Sequence, residues 1–352
     1  MTDKNQGKTM KRYKFEKKSL HVSRELINKM TDACLTVPKI TRAAISEKAG
    51  VSLVTAGKFL AAMDECKFTY KKRHFPEDSR PSYCHTLNEA LSVLVIDTSS
   101  PSFSMSIIRG RSECRFYEQY DYDTSISFAD NLKLFLSRIG ANAVKQPFGI
   151  SAICILISDE KPARELNITN VCAATESDIP AIDSATARFF GIKPLLFIKS
   201  SDAIASAIRH NTIKTESGDK LAHIYVGKGL SLSVYSDSEP ICTCNIRNLI
   251  TSGTDTLADL HRQMLSEDDL GKMLYRVVNF ADCAFSPDKY IIEYDTVKFG
   301  STALRYVKRA FAATGKPLPD ITSIDHSESL AVLGAATKAA AELIKLHITQ
   351  AE

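Results

Sequence analysis

The stretch VLVIDTSSPSFSMSII, residues 93–108, decides the fold that the sequence predicts. An apolar run ends at Asp97, a turn of small residues follows, and a second strand-like run begins. The pattern predicts a β-hairpin with Asp97 at the start of its turn. Turns that hold phosphate bring backbone amides close to it, and glycine permits that approach. Residues 98–101 include no glycine, so the turn is a phosphate loop, the remnant of one, or an ordinary hairpin.

The pattern that begins with this hairpin occurs twice along the chain. Three strand-like segments in a meander, followed by alternating helices and strands, start near residue 90 and again near residue 220. Such a duplication predicts a two-lobed α/β body of the actin-like type, related to ribonuclease H and hexokinase. We expect lobe 1 over residues 89–210 and lobe 2 over residues 211–352, with the C-terminal helix packing back on lobe 1. A ligand would lie in the cleft between the lobes.

Composition restricts the class of protein. Of 352 residues, 44% are hydrophobic and 24% are charged, which is ordinary for a soluble globular chain. No apolar run is long enough to span a bilayer, and the polar N-terminus does not resemble a secretory signal. The nine cysteines are scattered, which fits reduced thiols better than a disulfide framework. We therefore expect a cytoplasmic protein with no membrane partner.

The charge is distributed unevenly. Residues 1–85 carry 18 Lys and Arg against 9 Asp and Glu, whereas the remainder carries 27 against 32. A basic first segment on an acidic body indicates contact with a polyanion such as nucleic acid. The other interpretation is a basic start that only keeps the chain soluble.

The first segment contains two helical patterns separated by a sharp turn. Apolar residues recur at helical spacing on both sides of Gly50, which favours a left-handed turn, and Ser52 can cap the second helix. The arrangement predicts a helix-turn-helix within residues 1–88, with the second helix presented to the major groove of DNA. The apolar face of that helix is predicted to consist of Leu53, Ala56, Leu60 and Met63.

A basic hairpin follows these helices. An alternating segment ends in Lys71, Lys72 and Arg73, and a turn rich in Pro, Glu, Asp and Ser leads into an extended return. The pattern predicts a β-wing whose cations contact phosphates, which makes the segment a winged helix-turn-helix. A small helical bundle with a hairpin and no role in DNA binding is the alternative. The residues expected to contact DNA are Arg42, Ser52, Thr55, Lys58, Lys71, Lys72 and Arg73.

A winged helix-turn-helix followed by a duplicated kinase-like body resembles the proteins of the ROK family, which is named for repressors, open reading frames and kinases. Thr55-Ala56-Gly57-Lys58 is similar to the Thr-Val-Ser-Arg-like stretch of the repressors, and Ser79-Arg80-Pro81 to their Gly-Arg-Pro wing exit. SSDAIASAIRH (200–210) resembles their Asn-Asp-Ala-Asn-Ala-Ala-Ala motif, and VGKGLSLSV (226–234) resembles their glycine-rich hairpin. SLAVLGAATKAA (329–340) is similar to their terminal helix. The resemblance covers nearly the whole chain and depends on the order and spacing of these motifs rather than on any one of them.

The resemblance implies a nucleotide site that this sequence does not complete. Glu293-Tyr294 stands in place of the Gly-Gly pair beside the adenosine, where a carboxylate and a bulky ring oppose a nucleotide. We expect no ATP use, no cofactor and no enzymatic activity, and we interpret Asp97 as bonding to its own turn. Serines occupy three positions that are glycine in the family: Ser99, Ser231 and Ser233.

The sugar site implied by the family is also altered. Asp202 matches the catalytic aspartate, which takes a proton from a sugar hydroxyl, but the neighbouring asparagines are Ser201 and Ile204. We interpret Asp202 as the N-cap of a helix over residues 203–210, which can still touch a ligand. The lost partners predict no binding of ordinary hexoses. A small-molecule effector, a sugar or a derivative, would contact Asp202.

The family's zinc motif is Cys-x-Cys-Gly-x-x-Gly-Cys with an upstream histidine. The matching segment, CTCNIRNL (242–249), keeps Cys242 and Cys244 and has Leu249 in place of the third cysteine. A structural zinc site needs four ligands, so we expect no bound metal.

These observations predict a DNA-binding transcriptional regulator of the repressor type with a catalytically inactive, kinase-like body. We expect a homodimer, which would place two heads on a pseudo-palindromic site in double-stranded DNA. One alternative is an active sugar kinase of the ROK type that uses ATP. The other is an interaction protein whose basic end contacts polyanions without sequence preference.

Overall fold

The computed structural model describes residues 13, 15–74, 82–99, 102–110, 112–123, 125–146, 149–159, 174–210, 218–226, 230–245, 267–296, 300–315, 317–326 and 329–351. Within these ranges, no helix combines the length and the apolar character that crossing a membrane requires.

Three helices and a two-stranded antiparallel hairpin form a unit that we call the head. Each helix begins after a hydroxyl residue, Ser23, Thr41 or Ser52, whose side chain accepts a hydrogen bond from a backbone amide three residues on. Gly50 ends the second helix with φ of 65°, as predicted. The elements of the head are α1 (Arg24–Thr36), α2 (Arg42–Ala49), α3 (Leu53–Glu65), β2 (Thr69–His74) and β3 (Ser82–Leu87).

The first half of the body contains a five-stranded mixed sheet. The strand order is β6-β5-β4-β7-β8, with β5 antiparallel to both β4 and β6, and β7 parallel to both β4 and β8. Its strands are β4 (Ser92–Asp97), β5 (Ser102–Arg109), β6 (Glu113–Asp121), β7 (Ala152–Ile157) and β8 (Leu196–Lys199). Its helices are α4 (Phe128–Phe135), which continues through a π-helical turn (Leu136–Gly140) into α5 (Ala141–Lys145), then α6 (Ile179–Phe190) and α7 (Ser200–Arg209).

The second half repeats this sheet. Its order, β11-β10-β9-β12-β13, has the same pattern of antiparallel and parallel neighbours as the first sheet. The predicted duplication and the α/β class are therefore confirmed. Its elements are β9 (Lys220–Val226), β10 (Leu230–Ser236), β11 (Glu239–Asn245), α8 (Glu267–Phe285), β12 (Lys289–Tyr294), α9 (Thr302–Ala313) and β13 (Asp320–Asp325).

The long helix α10 (Leu330–His347) packs on the first half of the body. It contacts α7, β4 and β7, and it crosses α7 where Gly334 faces Ala203 and Ala207. A side chain on Gly334 would overlap with the carbonyl oxygen of Ala203, and its Cβ would lie 2.9 Å from the amide nitrogen of Ala207. Glycine is required here because the two helix backbones approach so closely.

The head is attached to the body by both ends of the chain. A short strand, β1 (Lys18–Leu20), pairs in parallel with β14 (Ile348–Gln350), which directly follows α10. Beside this pair, the rings of Phe15 and Phe68 stack with centroids 4.3 Å apart, and His347 packs edge-on against both. Helix α1 also contacts α10, and buried side chains of the head, α7 and α10 belong to one continuous core.

Candidate functional site

The outward surface of the head carries the residues that the sequence predicts to contact DNA. Ser52 caps α3 as predicted, because its Oγ accepts a hydrogen bond of 3.1 Å from the amide of Thr55. The two hydroxyl oxygens of these residues lie 2.9 Å apart. Ser52 and Lys58 are exposed and Thr55 is half-buried, so the start of α3 is accessible from solvent.

Arg42 is brought beside α3 by a glycine. It is the first residue of α2 and is exposed, and its side chain extends across Gly57 of α3. A Cβ on Gly57 would lie 2.9 Å from Cδ of Arg42. The small residue therefore allows the Arg42 stem to lie against α3 at Gly57, the residue before Lys58.

The hairpin is fixed to α3 by one carboxylate. Asp64, near the end of α3, accepts a hydrogen bond of 2.5 Å from the hydroxyl of Thr69 on β2 and one of 2.9 Å from His85 Nδ1 on β3. The amide of His85 also donates to the carbonyl of Ile40, in the connection between α1 and α2. The hairpin is thus held against the helices at its base.

The cations of the hairpin extend from this base. Lys71 and Lys72 are exposed, and Lys71 Nζ lies 4.3 Å from the centre of the Tyr83 ring on the opposite strand. Neighbouring strand residues point to opposite faces, so the two lysines project on both sides of the hairpin. The side chain of Arg73 and the segment Ser79-Arg80-Pro81 lie outside the described residues.

In the body, Asp97 bonds to the turn of the β4–β5 hairpin, as the sequence predicts. Its carboxylate accepts hydrogen bonds from the amide of Ser99 at 2.8 Å and from the hydroxyl of Ser99 at 2.6 Å. Burial raises the pKa of Asp97, and the nearby charge of Glu293 raises this pKa further against the lowering effect of the Ser99 bonds. The interpretation of Asp97 as a residue that bonds to its own turn is confirmed.

Glu293 lies at the centre of a buried charged cluster that sequence reasoning did not find. The residue is 1% exposed, and its Oε2 accepts a hydrogen bond of 3.1 Å from His223 Nε2 and one of 3.4 Å from the backbone amide of Leu330. His326 Nδ1 is 3.6 Å from Oε1, an ion-pair distance that is too long for a hydrogen bond. Glu293 therefore joins β9, β12 and the first turn of α10.

This cluster occupies the space between the two sheets. Asp97, from the first sheet, and Glu293, from the second, line one cavity of about 20 Å³, which holds about one water molecule. Two carboxyl groups on such a volume oppose an anion. The other residues that line this cavity are Ser104, Tyr117, Gln119, Tyr225, His326, Ser329 and Val332.

The cluster predicts a pH dependence of stability. Burial alone would raise the pKa of Glu293, but the hydrogen bond from His223 and the charges of His223 and His326 lower it to about 2. Burial alone would lower the pKa of His326, but Glu293, Asp325 and Asp295 raise it above 6.5. The Glu293 contribution to stability is present above its unfolded pKa of 4.5 and is lost toward pH 2. The His326 contribution is complete below pH 6.5 and is lost as the pH rises through the folded pKa.

We therefore expect the free energy of unfolding to fall between about pH 6 and about pH 9, and His326→Gln to reduce that fall. Urea denaturation at the two pH values measures it. His21→Gln, at an exposed histidine outside the cluster, is the control. An unchanged pH dependence in His326→Gln would show that the ion pair does not stabilise the fold.

Asp202 lies at the start of α7, but it is not the N-cap. The helix begins at Ser200 with Lys199 at the cap position, and Asp202 is exposed in the first turn. The carboxylate that binds this helix end belongs to Asp159, which accepts hydrogen bonds from the amide of Ser201 at 3.0 Å and from its hydroxyl at 2.5 Å. The interpretation of Asp202 as a cap is therefore wrong, and its carboxylate faces a cavity.

That cavity, of about 690 Å³, extends along α7 to the head. Its polar walls include ion pairs between Lys199 and Glu176 at 2.9 Å and between Arg209 and Glu239 at 2.8 Å. His210 is 8% exposed; its Nδ1 donates to the Ser206 carbonyl, while its Nε2 makes no hydrogen bond and lies 3.8 Å from Asp32 of α1. The residues that line the cavity include Asp32, Glu176, Lys199, Asp202, Ser206, Arg209, His210, Glu239 and Lys338.

Of the remaining predicted positions, those that the structure describes lie on the second sheet. Ser231 and Ser233 are in β10, where Ser233 pairs with His223, while Gly227 and Gly229 are outside the described residues. Cys242 is half-buried on β11; the side chain of Cys244 and the position of Leu249 are not among the described parts. Across the described ranges, no group of three or more His, Cys, Asp or Glu is arranged to hold a metal ion.

Comparison with known proteins identifies the fold. No family model matches the chain, and no curated protein matches it. A solved structure of a ROK family transcriptional regulator, a homologue of the E. coli MLC protein, matches with a TM-score of 0.56 at 11% sequence identity. The match covers 92% of this chain and 98% of that one. This chain has the fold of that ROK family regulator. The resemblance predicted from the sequence is therefore confirmed at the level of the fold.

Sugar kinases are among the other similar structures. An inorganic polyphosphate/ATP-glucomannokinase from Arthrobacter sp. strain KM matches with a TM-score of 0.48 at 16% identity, over 71% of this chain and 98% of that one. A ROK family glucokinase from Streptomyces griseus matches with a TM-score of 0.46 at 11% identity, over 70% of this chain and 98% of that one.

Proposed function

We propose that the protein is a sequence-specific DNA-binding transcriptional regulator of the repressor type, with a winged helix-turn-helix made of α2, α3 and the β2–β3 hairpin. The observation that carries the proposal is the surface of the head. Arg42, whose stem lies across Gly57, and the exposed Lys58 add two cations to α3, and Lys71 and Lys72 extend from a hairpin that Asp64 holds against the same helix. A helix between cations fits a major groove between two phosphate backbones.

The likeness to the ROK family regulator supports this proposal, because it extends over head and body together. In the proposal, residues 1–88 bind double-stranded DNA, and residues 89–210 and 211–352 are the two lobes of the body. The body forms a homodimer, so that two heads meet a pseudo-palindromic operator one helical turn or a multiple of it apart. Repression follows where such an operator overlaps a promoter.

The body is proposed to be catalytically inactive. The carboxylate of Asp97 is engaged by Ser99, and the carboxylates of Asp97 and Glu293 close around a cavity of about 20 Å³. A phosphate in this cavity would lie beside two carboxyl groups. The two nearby histidines would not pair with it, because His223 and His326 are already partners of Glu293. These contacts support a body that neither binds ATP nor transfers a phosphoryl group.

An active sugar kinase is the second candidate, and one observation favours it. Asp202, at the position of the family's catalytic aspartate, is exposed on a cavity of about 690 Å³. ATP-dependent phosphorylation of a hexose that Asp202→Asn abolishes would establish the kinase. Turnover that equals the background for a panel of hexoses would remove it.

The same cavity is proposed to hold a small-molecule effector, a sugar or a derivative, beside Asp202. Because Asp32 belongs to α1 and His210 follows α7, a ligand there contacts both head and body. Ligand binding would then favour one position of the head over another and change operator affinity by population shift.

Selection of bound duplexes from random DNA tests the proposed function. We expect enrichment of a pseudo-palindromic sequence within a few rounds, and tighter binding to it than to a shuffled duplex of the same composition. Binding that shows no preference among sequences would support the interaction protein instead. No binding to any duplex at low salt would refute a role in DNA recognition.

A further inference from the structure

The first turn of α3 carries two large apolar side chains in contact with solvent. Leu53 is 57% exposed and Val54 is 67% exposed. The sequence places Leu53 on the apolar face of the helix, which is wrong, because the buried face is complete without it. That face consists of Ala56, Phe59, Leu60, Ala62 and Met63. Single exposed apolar residues are ordinary on a protein surface. Two adjacent ones at the start of the helix that is proposed to enter the major groove need an explanation.

The rest of the outward face of α3 is small or cationic. Helical spacing places Val54, Gly57, Lys58 and Ala61 on one side, opposite the buried face. The acidic residues of α3, Asp64 and Glu65, are confined to its last turn. A face of this kind can approach a polyanion closely, since it carries a cation and has no negative side chain in its first two turns.

The hydroxyl groups at the start of α3 are hydrogen-bonded in part within the turn itself. Ser52 Oγ accepts from the amide of Thr55 and is within hydrogen-bond distance of the Thr55 hydroxyl. Each hydroxyl keeps capacity for a further hydrogen bond, and the apolar side chains that the start of α3 offers to base edges are Leu53 and Val54. In the major groove, the apolar group that a base presents is the C5-methyl of thymine.

We infer that Leu53 and Val54 contact thymine methyl groups, so that the operator presents A·T base pairs to the first turn of α3 in each half-site. The inference rests on the proposed function, with α3 as the helix that enters the major groove. Lys58, one turn after Val54, and Arg42, which lies across Gly57, bind the flanking phosphates or guanines.

Deoxyuridine tests the inference, because it differs from thymidine only by the missing methyl group. In the duplex enriched by selection, each thymine of one half-site is replaced in turn by uracil, and binding is measured at fixed salt. We expect one or two positions at which the loss of the methyl weakens binding by about fourfold. Replacing cytosine by 5-methylcytosine in a T·A to C·G variant of such a position should recover part of the loss.

The double variant Leu53→Ala/Val54→Ala completes the test. It should bind the thymine and uracil duplexes equally, and it should keep the fold, since both side chains are exposed. Leu134→Ala, at an exposed leucine of α4, is the matched control and should keep the sensitivity to uracil. A protein that selects a duplex but shows no uracil-sensitive position overturns the inference and leaves the proposed function intact. Uracil sensitivity that persists in the double variant also overturns it. If no duplex is selected, the proposed function itself fails.

Discussion

Replacing Gly334 by alanine is expected to destabilise the fold by about 3 kcal/mol or more. The new Cβ would overlap with the carbonyl oxygen of Ala203 and lie 2.9 Å from the amide of Ala207. Both atoms belong to the backbone of α7, so relief requires α10 and α7 to move apart. The helix propensity gained by alanine, about 1 kcal/mol, is smaller than this cost. Urea denaturation gives the difference, and Gly334→Val should fail to accumulate as folded protein.

Gly57→Ala is the matched control for this prediction. Gly57 is also in a helix, but the nearest atom to its new Cβ is Cδ of Arg42, which belongs to a flexible and exposed side chain. The arginine can move at little cost, so we expect stability that is unchanged or raised by up to about 1 kcal/mol. Equal effects of the two substitutions would mean that helix propensity, rather than the close approach of α10 and α7, governs both positions.

The local parts of the structure follow from local patterns. Thr41, Gly50 and Ser52 limit the helices of the head because capping involves residues only a few positions apart. The apolar run that ends at Asp97 and the turn of small residues after it predicted the hairpin, and the repeated meander predicted two similar halves of the body. Each of these inferences needs only neighbours in sequence or a pattern that occurs twice.

Contacts between distant residues could not be predicted in this way. His223 and Glu293 lie within largely apolar parts of their strands, and nothing in either segment indicates the other. The pairing of β1 with β14 joins two three-residue strands at opposite ends of the chain, which are too short for a periodic pattern. Both depend on the tertiary structure that brings the segments together.

Helix boundaries account for the error at Asp202. Three consecutive residues, Ser200, Ser201 and Asp202, all have side chains that favour the N-cap position, so the sequence does not decide where α7 begins. Asp159, at the end of β7, decides it by accepting two hydrogen bonds from Ser201. The sequence did not indicate this role because Asp159 is 42 residues away from Ser201 along the chain. As a result, Asp202 does not cap the helix and lines the cavity instead.

Replacing Lys71 and Lys72 together by alanine is expected to weaken binding to every duplex, selected or shuffled, by a similar factor. Both side chains are exposed on β2 and would neutralise phosphates, which position the protein without specifying sequence. Two lost phosphate contacts reduce the slope of log K against log salt concentration by about 1.8. Fluorescence anisotropy titrations between about 50 and 200 mM salt give affinity and slope together.

Two further variants separate this effect from others that lower affinity. Lys133→Ala/Lys193→Ala removes the same charge from exposed positions on α4 and after α6, so it should keep both the affinity and the slope. Lys58→Ala should instead reduce the preference for the selected duplex by about 1–3 kcal/mol, because its place on α3 brings it to base edges. The variant that lacks both Lys71 and Lys72 could instead lose its sequence preference and keep the slope of log K against log salt concentration. The hairpin would then lie in a groove rather than along the phosphates. The helix, with its exposed first turn, would then have to contact the backbone, and the assignment of α3 to the major groove would be wrong.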